Sequence, residues 1–121
     1  MPHANAHAAT PLRVLLADDN PWLRRGVRTA LERAGFVVVG EAADGIQALE
    51  LAAACHPDLV LMDLCMPGMD GIQATQVLRG RQPQIRVVLW TGRDDIELAS
   101  ATEFPGTGCV MIGAAGQGSI V

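Results

Sequence analysis

Short apolar runs alternate with stretches of helical periodicity along most of this 121-residue chain, and that alternation restricts the fold more than any other feature. Residues 12–17, 36–40, 58–62, 85–90 and 109–112 read as short strands built from Val, Leu, Ile and Met. Stretches of helical spacing, 21–34, 45–55, 70–79 and 94–103, lie between them. Strands that alternate with helices make parallel βαβ units with right-handed crossovers, which places helices on both faces of one sheet. The expected fold is therefore α/β, a doubly wound parallel five-stranded sheet. No repeat or linker divides it.

The helix boundaries carry their own signals. Asn20 can cap the first helix with Pro21 at its first position, and Gly35 stops it. Leu23, Val27, Ala30, Leu31 and Ala34 recur at helical spacing, while Arg24, Arg25, Arg28, Glu32 and Arg33 take the wet side. Asp44 and Gly45 open the second helix, whose inner face would carry Ile46, Leu49 and Ala53, and His56-Pro57 ends it. The third helix uses Ile72, Val77 and Leu78, and the fourth stops at Phe104-Pro105-Gly106. Beyond Ile112 little pattern remains, and three glycines between Gly113 and Val121 disfavour a helix by roughly 1 kcal/mol each.

Composition excludes several classes of function. Half of the residues are hydrophobic, the net charge is −4, and all nine basic residues are arginine, which argues against a basic nucleic-acid face. Cys55, Cys65 and Cys109 are odd in number and lack CxxC spacing, so neither a zinc site nor a disulfide framework is indicated, and a reducing cytoplasm fits. No apolar run reaches the roughly 18 residues of a membrane span, and the start lacks a secretory pattern. Residues 1–11, with His3 and His7, are expected to form a disordered leader before a domain at 12–121.

The third strand ends on a bare carboxylate, in the run Val60-Leu61-Met62-Asp63-Leu64-Cys65-Met66-Pro67-Gly68-Met69-Asp70-Gly71. Open α/β sheets bind ligands outside the carboxyl ends of their strands. Asp18 and Asp19 leave strand one at that edge, Asp63 leaves strand three and Thr91 leaves strand four. Clustered carboxylates repel one another unless a cation lies among them. Hard oxygen ligands with water suit Mg²⁺, and a carboxylate beside Mg²⁺ can attack phosphorus. Thr91 could then donate its hydroxyl to a phosphoryl oxygen. Taken singly, Asp18, Asp19 and Asp70 also read as helix caps and Asp63 as a turn acid.

Three stretches carry a resemblance: residues 12–21 (LRVLLADDNP), 39–49 (VGEAADGIQAL) and 61–71 (LMDLCMPGMDG). On these the chain resembles the response-regulator receiver domains, most of all those of LuxR-type (NarL/FixJ-like) two-component transcriptional regulators. The resemblance implies strand order 2-1-3-4-5 and makes Asp63 the phosphoacceptor for a partner histidine kinase. It implies Mg²⁺ bound directly by Asp19 and Asp63, through water by Asp18, and by the backbone carbonyl of Cys65. Thr91 matches the switch hydroxyl. No enzymatic activity is implied beyond self-phosphorylation and dephosphorylation on Asp63.

The chain departs from that family in its last part. The family's strand-five Lys falls on Gly113, or on Ile112 with one deletion, and no lysine exists elsewhere. Cys109 or Val110 stands where the family usually has Tyr or Phe. Arg93 could offer a substitute charge and otherwise reads as a solvated loop arginine. The final helix is missing or truncated, and the apolar face this would leave beside strand five fits a shortened chain, further residues beyond those given, or a homodimer through the strand-five and last-helix face. Transcriptional output and DNA contact would need an output domain not present in these residues. The alternative is a pseudo-receiver, an interaction or ligand-sensing module controlled without phosphorylation. A hydrolase would need a second acid where Cys65 sits.

Overall fold

The computed structural model describes residues 10–90 with their side chains, and the backbone of Thr91, 107–112 and 118–120. The elements run β1 (Arg13–Ala17), α1 (Pro21–Arg33), β2 (Val37–Ala42), α2 (Gly45–Cys55), β3 (Leu59–Asp63), α3 (Gly71–Arg81), β4 (Arg86–Thr91), β5 (Thr107–Ile112) and β6 (Gly118–Ile120). They form one sheet of order β2-β1-β3-β4-β5-β6. The first five strands pair in parallel, which requires a crossover between successive strands.

The sheet has six strands rather than the expected five. β6 pairs antiparallel with the edge of β5, setting Val110 opposite Ile120 and Ile112 opposite Gly118. Its three residues carry too little alternation to signal a strand in isolation, and pairing to an existing edge supplies what the local pattern lacks. The expected helix at 94–103 and the leader lie outside the described residues, as do Arg93 and Gly113.

Local chemistry sets the helix starts. Asn20 accepts from the amides of Trp22 at 3.0 Å and Leu23 at 3.2 Å, ahead of Pro21 at the first helical turn. Asp44 accepts from the Gln47 amide at 2.7 Å, and Asp70 forms a capping box with Gln73. Asp70 is therefore a cap, whereas Asp18 and Asp19 lie ahead of the capping Asn20. Gly35 follows α1 at φ +97°, and α2 ends at His56 just before Pro57.

The main core lies between the sheet and α2 and α3. Leu15, Ala17, Val60, Met62, Val87 and Leu89 point into it and meet Ala48, Leu49, Ala52, Ala74 and Leu78. The expected inward face of α2 is corrected: Ile46 and Ala53 are exposed, and Gly45, Ala48, Leu49 and Ala52 are buried. Small residues let α2 approach closely, since a Cβ on Gly45 would collide with the Met69 carbonyl oxygen. In α3, Leu78 is buried with Gly71, Ala74 and Thr75, while Ile72 and Val77 are half-buried. On the opposite sheet face, Val14, Leu16 and Trp90 are buried. α1 lies over that face with no fully buried residue; Val27 and Leu31 are half-buried, and Leu23, Ala30 and Ala34 are exposed.

Candidate acidic site at the carboxyl edge of the sheet

β1 and β3 are neighbours, and the pairing of Ala17 with Met62 delivers the next residues, Asp18 and Asp63, to the same edge. Asp18, Asp19 and Asp63 each bring a carboxylate oxygen within 4.8 Å of the others. Their environments differ. Asp18 is 1% exposed, Asp63 is half-buried and Asp19 is exposed.

Asp18 is held at several points. Its amide donates to the Ala42 carbonyl at 2.9 Å, and its Oδ1 accepts from the Asn20 amide at 2.8 Å. Its Oδ2 is buried without a hydrogen-bond partner among the described residues. Burial pushes the Asp18 carboxyl above the usual carboxylate range, the Asn20 amide partly opposes this, and the neighbouring Asp19 charge adds to the rise. A buried carboxylate oxygen left without a donor is costly unless a cation supplies the missing charge. Hard oxygen donors from three carboxylates, one of which carries this orphaned atom, fit Mg²⁺.

The chain beyond Asp63 is fixed by backbone bonds. Asp63 Oδ1 accepts from the Cys65 amide at 3.2 Å, Leu64 donates to the Trp90 carbonyl at 2.8 Å, and Gly71 donates to the Leu64 carbonyl at 3.0 Å. Gly71 is required there, because a Cβ would collide with the Asp63 carbonyl oxygen and lie 3.1 Å from the Leu64 Cα. Met66 is buried in the core and anchors the turn. Thr91 ends β4, the strand beside β3, so its backbone arrives at the same edge; its side chain lies outside the described residues. Cys65 is half-buried next to the acids. Ile112 is the last residue of β5, and Cys109 and Val110 lie within that strand.

Sequence reading missed Arg24 and Glu41. Arg24 was expected on the wet face of α1, yet its Nη1 donates to the Asp18 carbonyl at 2.6 Å and its Nε to Glu41 at 2.9 Å. Helical periodicity carries no signal for a contact with a residue on another strand.

Residues 14–108 match the family described as the response regulator receiver domain. The chain belongs to the response regulator receiver domain family. The receiver is 40% identical over 100 residues to the transcriptional regulatory protein PdtaR of Mycobacterium tuberculosis, covering 81% of this chain and 49% of that protein. It is 47% identical over 85 residues to the probable transcriptional regulatory protein NarL of the same organism, covering 69% of this chain and 39% of that protein. A crystal structure of a LuxR-family two-component response regulator from Aurantimonas superposes with a TM-score of 0.77 at 34% identity, covering 88% of this chain and 76% of that one. The receiver thus spans half or less of the length of these two curated relatives. It is a receiver domain of the two-component response regulators, similar to those of the NarL and PdtaR transcriptional regulators. Among the described residues no helix is long and apolar enough to cross a membrane.

Proposed function

We propose that this receiver accepts a phosphoryl group on Asp63 from a histidine kinase and passes the change to a transcriptional output. The observation that supports this is the convergence of Asp18, Asp19 and Asp63 within 4.8 Å, with the Asp18 Oδ2 buried and unpaired. Asp63 ends a strand, so its carboxylate is presented at the edge with its backbone held by β4. In the transfer, the Asp63 oxygen forms a bond to phosphorus as the P–N bond of a phosphohistidine breaks, and the proton stays with the leaving imidazole. Asp19, Asp63 and the Cys65 carbonyl would hold Mg²⁺ directly, with Asp18 acting through water. When bound, the cation neutralises charge on the acids and on the incoming phosphoryl oxygens. Thr91 would donate its hydroxyl to a phosphoryl oxygen.

The partners proposed with this reading are a cytoplasmic histidine kinase, a second copy of the receiver, and DNA reached through an output domain outside these residues. The receiver itself would turn over nothing beyond its own aspartyl phosphate. Incubation with Mg²⁺ and a small phosphodonor, followed by intact mass measurement, tests it. A gain of one phosphoryl group that Asp63→Asn abolishes is the expected result. No gain in the unaltered protein would leave a pseudo-receiver controlled without phosphorylation.

A further inference from the structure

The first acid of the site is tied to the neighbouring edge strand β2 by a chain of charged side chains. Arg24 Nη1 donates to the Asp18 carbonyl oxygen at 2.6 Å, and Arg24 Nε donates to Glu41 Oε1 at 2.9 Å. The second oxygen of Glu41 accepts from Arg28 Nη1, and Arg28 Nε reaches Glu32 at 3.2 Å. The Arg24 and Glu41 side chains are 19% and 28% exposed, so their pairing is partly shielded from water. Asp18 is consequently held at its amide by Ala42, at its carboxylate by Asn20 and at its carbonyl by Arg24.

We propose that Arg24, anchored by Glu41, is a positioning residue that holds the Asp18–Asp19 peptide in the geometry needed to bind a divalent cation. A guanidinium suits this task because its planar fork can serve a carbonyl and a carboxylate at once. α1 supplies a stiff base for the fork, and Asn20 caps that helix immediately beyond the acids. The inference rests on the reading of the acidic cluster as a Mg²⁺ site.

Charge and positioning act in opposite directions here. A fixed positive charge near a cation site opposes binding, so its removal should tighten Mg²⁺ if Coulomb repulsion were its main effect. Loss of a positioning contact should weaken Mg²⁺ instead. Calorimetric titration with Mg²⁺ alone, on the unaltered chain and four variants, separates the two. Arg24→Met is expected to weaken binding about tenfold, the scale of one lost charge-assisted hydrogen bond. Glu41→Gln and Arg24→Lys, the latter keeping the charge but not the fork, should each weaken it about threefold. Arg25→Met, which removes the same charge from α1 at a residue that lies over Trp22, should bind like the unaltered protein. Far-UV circular dichroism checks each fold, and if Arg24→Met does not fold, Arg24→Lys and Glu41→Gln decide. Affinity for Mg²⁺ equal to or tighter than that of the unaltered protein in the folded Arg24 variants overturns the proposal while leaving the cation site standing. Absence of Mg²⁺ binding in the unaltered protein overturns both.

Discussion

The amide of Leu64 donates to the carbonyl of Trp90 at 2.8 Å, tying the residue after Asp63 to the residue before Thr91. Asp63 and Trp90 are register partners on β3 and β4, so their side chains leave the sheet on the same face. Asp63 and the strand bearing Thr91 are thus mechanically one unit.

That unit predicts a sharp response at Gly71. Gly71→Ala would drive a methyl group into the Asp63 carbonyl, forcing the turn or α3 to shift. We expect a loss of about 2 kcal/mol in urea unfolding, the usual scale of overpacking, together with weaker Mg²⁺ binding. A stability and Mg²⁺ affinity matching the unaltered protein would show that the turn yields without cost.

Trp90 can report the site optically. It is 3% exposed, and its Nε1 has no hydrogen-bond partner among the described residues, whereas Trp22 is 78% exposed and would mask it. In Trp22→Phe, saturating Mg²⁺ should change Trp90 emission, and adding Asp19→Asn should abolish the change. An emission spectrum indifferent to Mg²⁺ would separate Trp90 from the acidic cluster.

The Asn20 cap should be worth about 1 kcal/mol. Asn20→Ala removes the acceptor for the Trp22 and Leu23 amides, and a domain of this size should melt roughly 4 °C lower. Differential scanning calorimetry measures it directly.

Acid titration tests the Glu41 pairs. The hydrogen bond from Arg28 holds the Glu41 carboxyl below its ordinary value of 4.5, Arg24 adds to the effect and partial burial opposes it. A carboxyl lowered on folding contributes stability that is fully present above 4.5 and is lost as pH falls through the folded value. The unaltered protein should therefore exceed Glu41→Gln in stability by about 1 kcal/mol at pH 7, with the gap closing below pH 4.5. Urea midpoints of the two proteins at pH 7 and pH 3 decide it. A gap that does not narrow between the two would place the contribution of Glu41 in packing rather than charge.

Much of the architecture was legible because parallel strands announce themselves locally. Leu15 and Val60 lie in apolar runs, the acids follow those runs directly, and Asn20, Asp44 and Asp70 mark helix starts by their own hydrogen-bonding chemistry. The inward face of α2 was misread because two apolar stripes compete on that helix. Ile46 is the larger residue, but Ala48 and Ala52 permit the closer approach, and packing favoured the small pair.

By itself the sequence determined that strands and helices alternate, and that acids stand where strands one and three end. Only the tertiary structure decided that Asp18 is buried with one oxygen unpaired and that Arg24 reaches both Asp18 and Glu41. The physical reason is range. Periodicity and capping act over a few residues, whereas Arg24 and Glu41 are 17 positions apart and meet only because β2 lies beside β1 under α1.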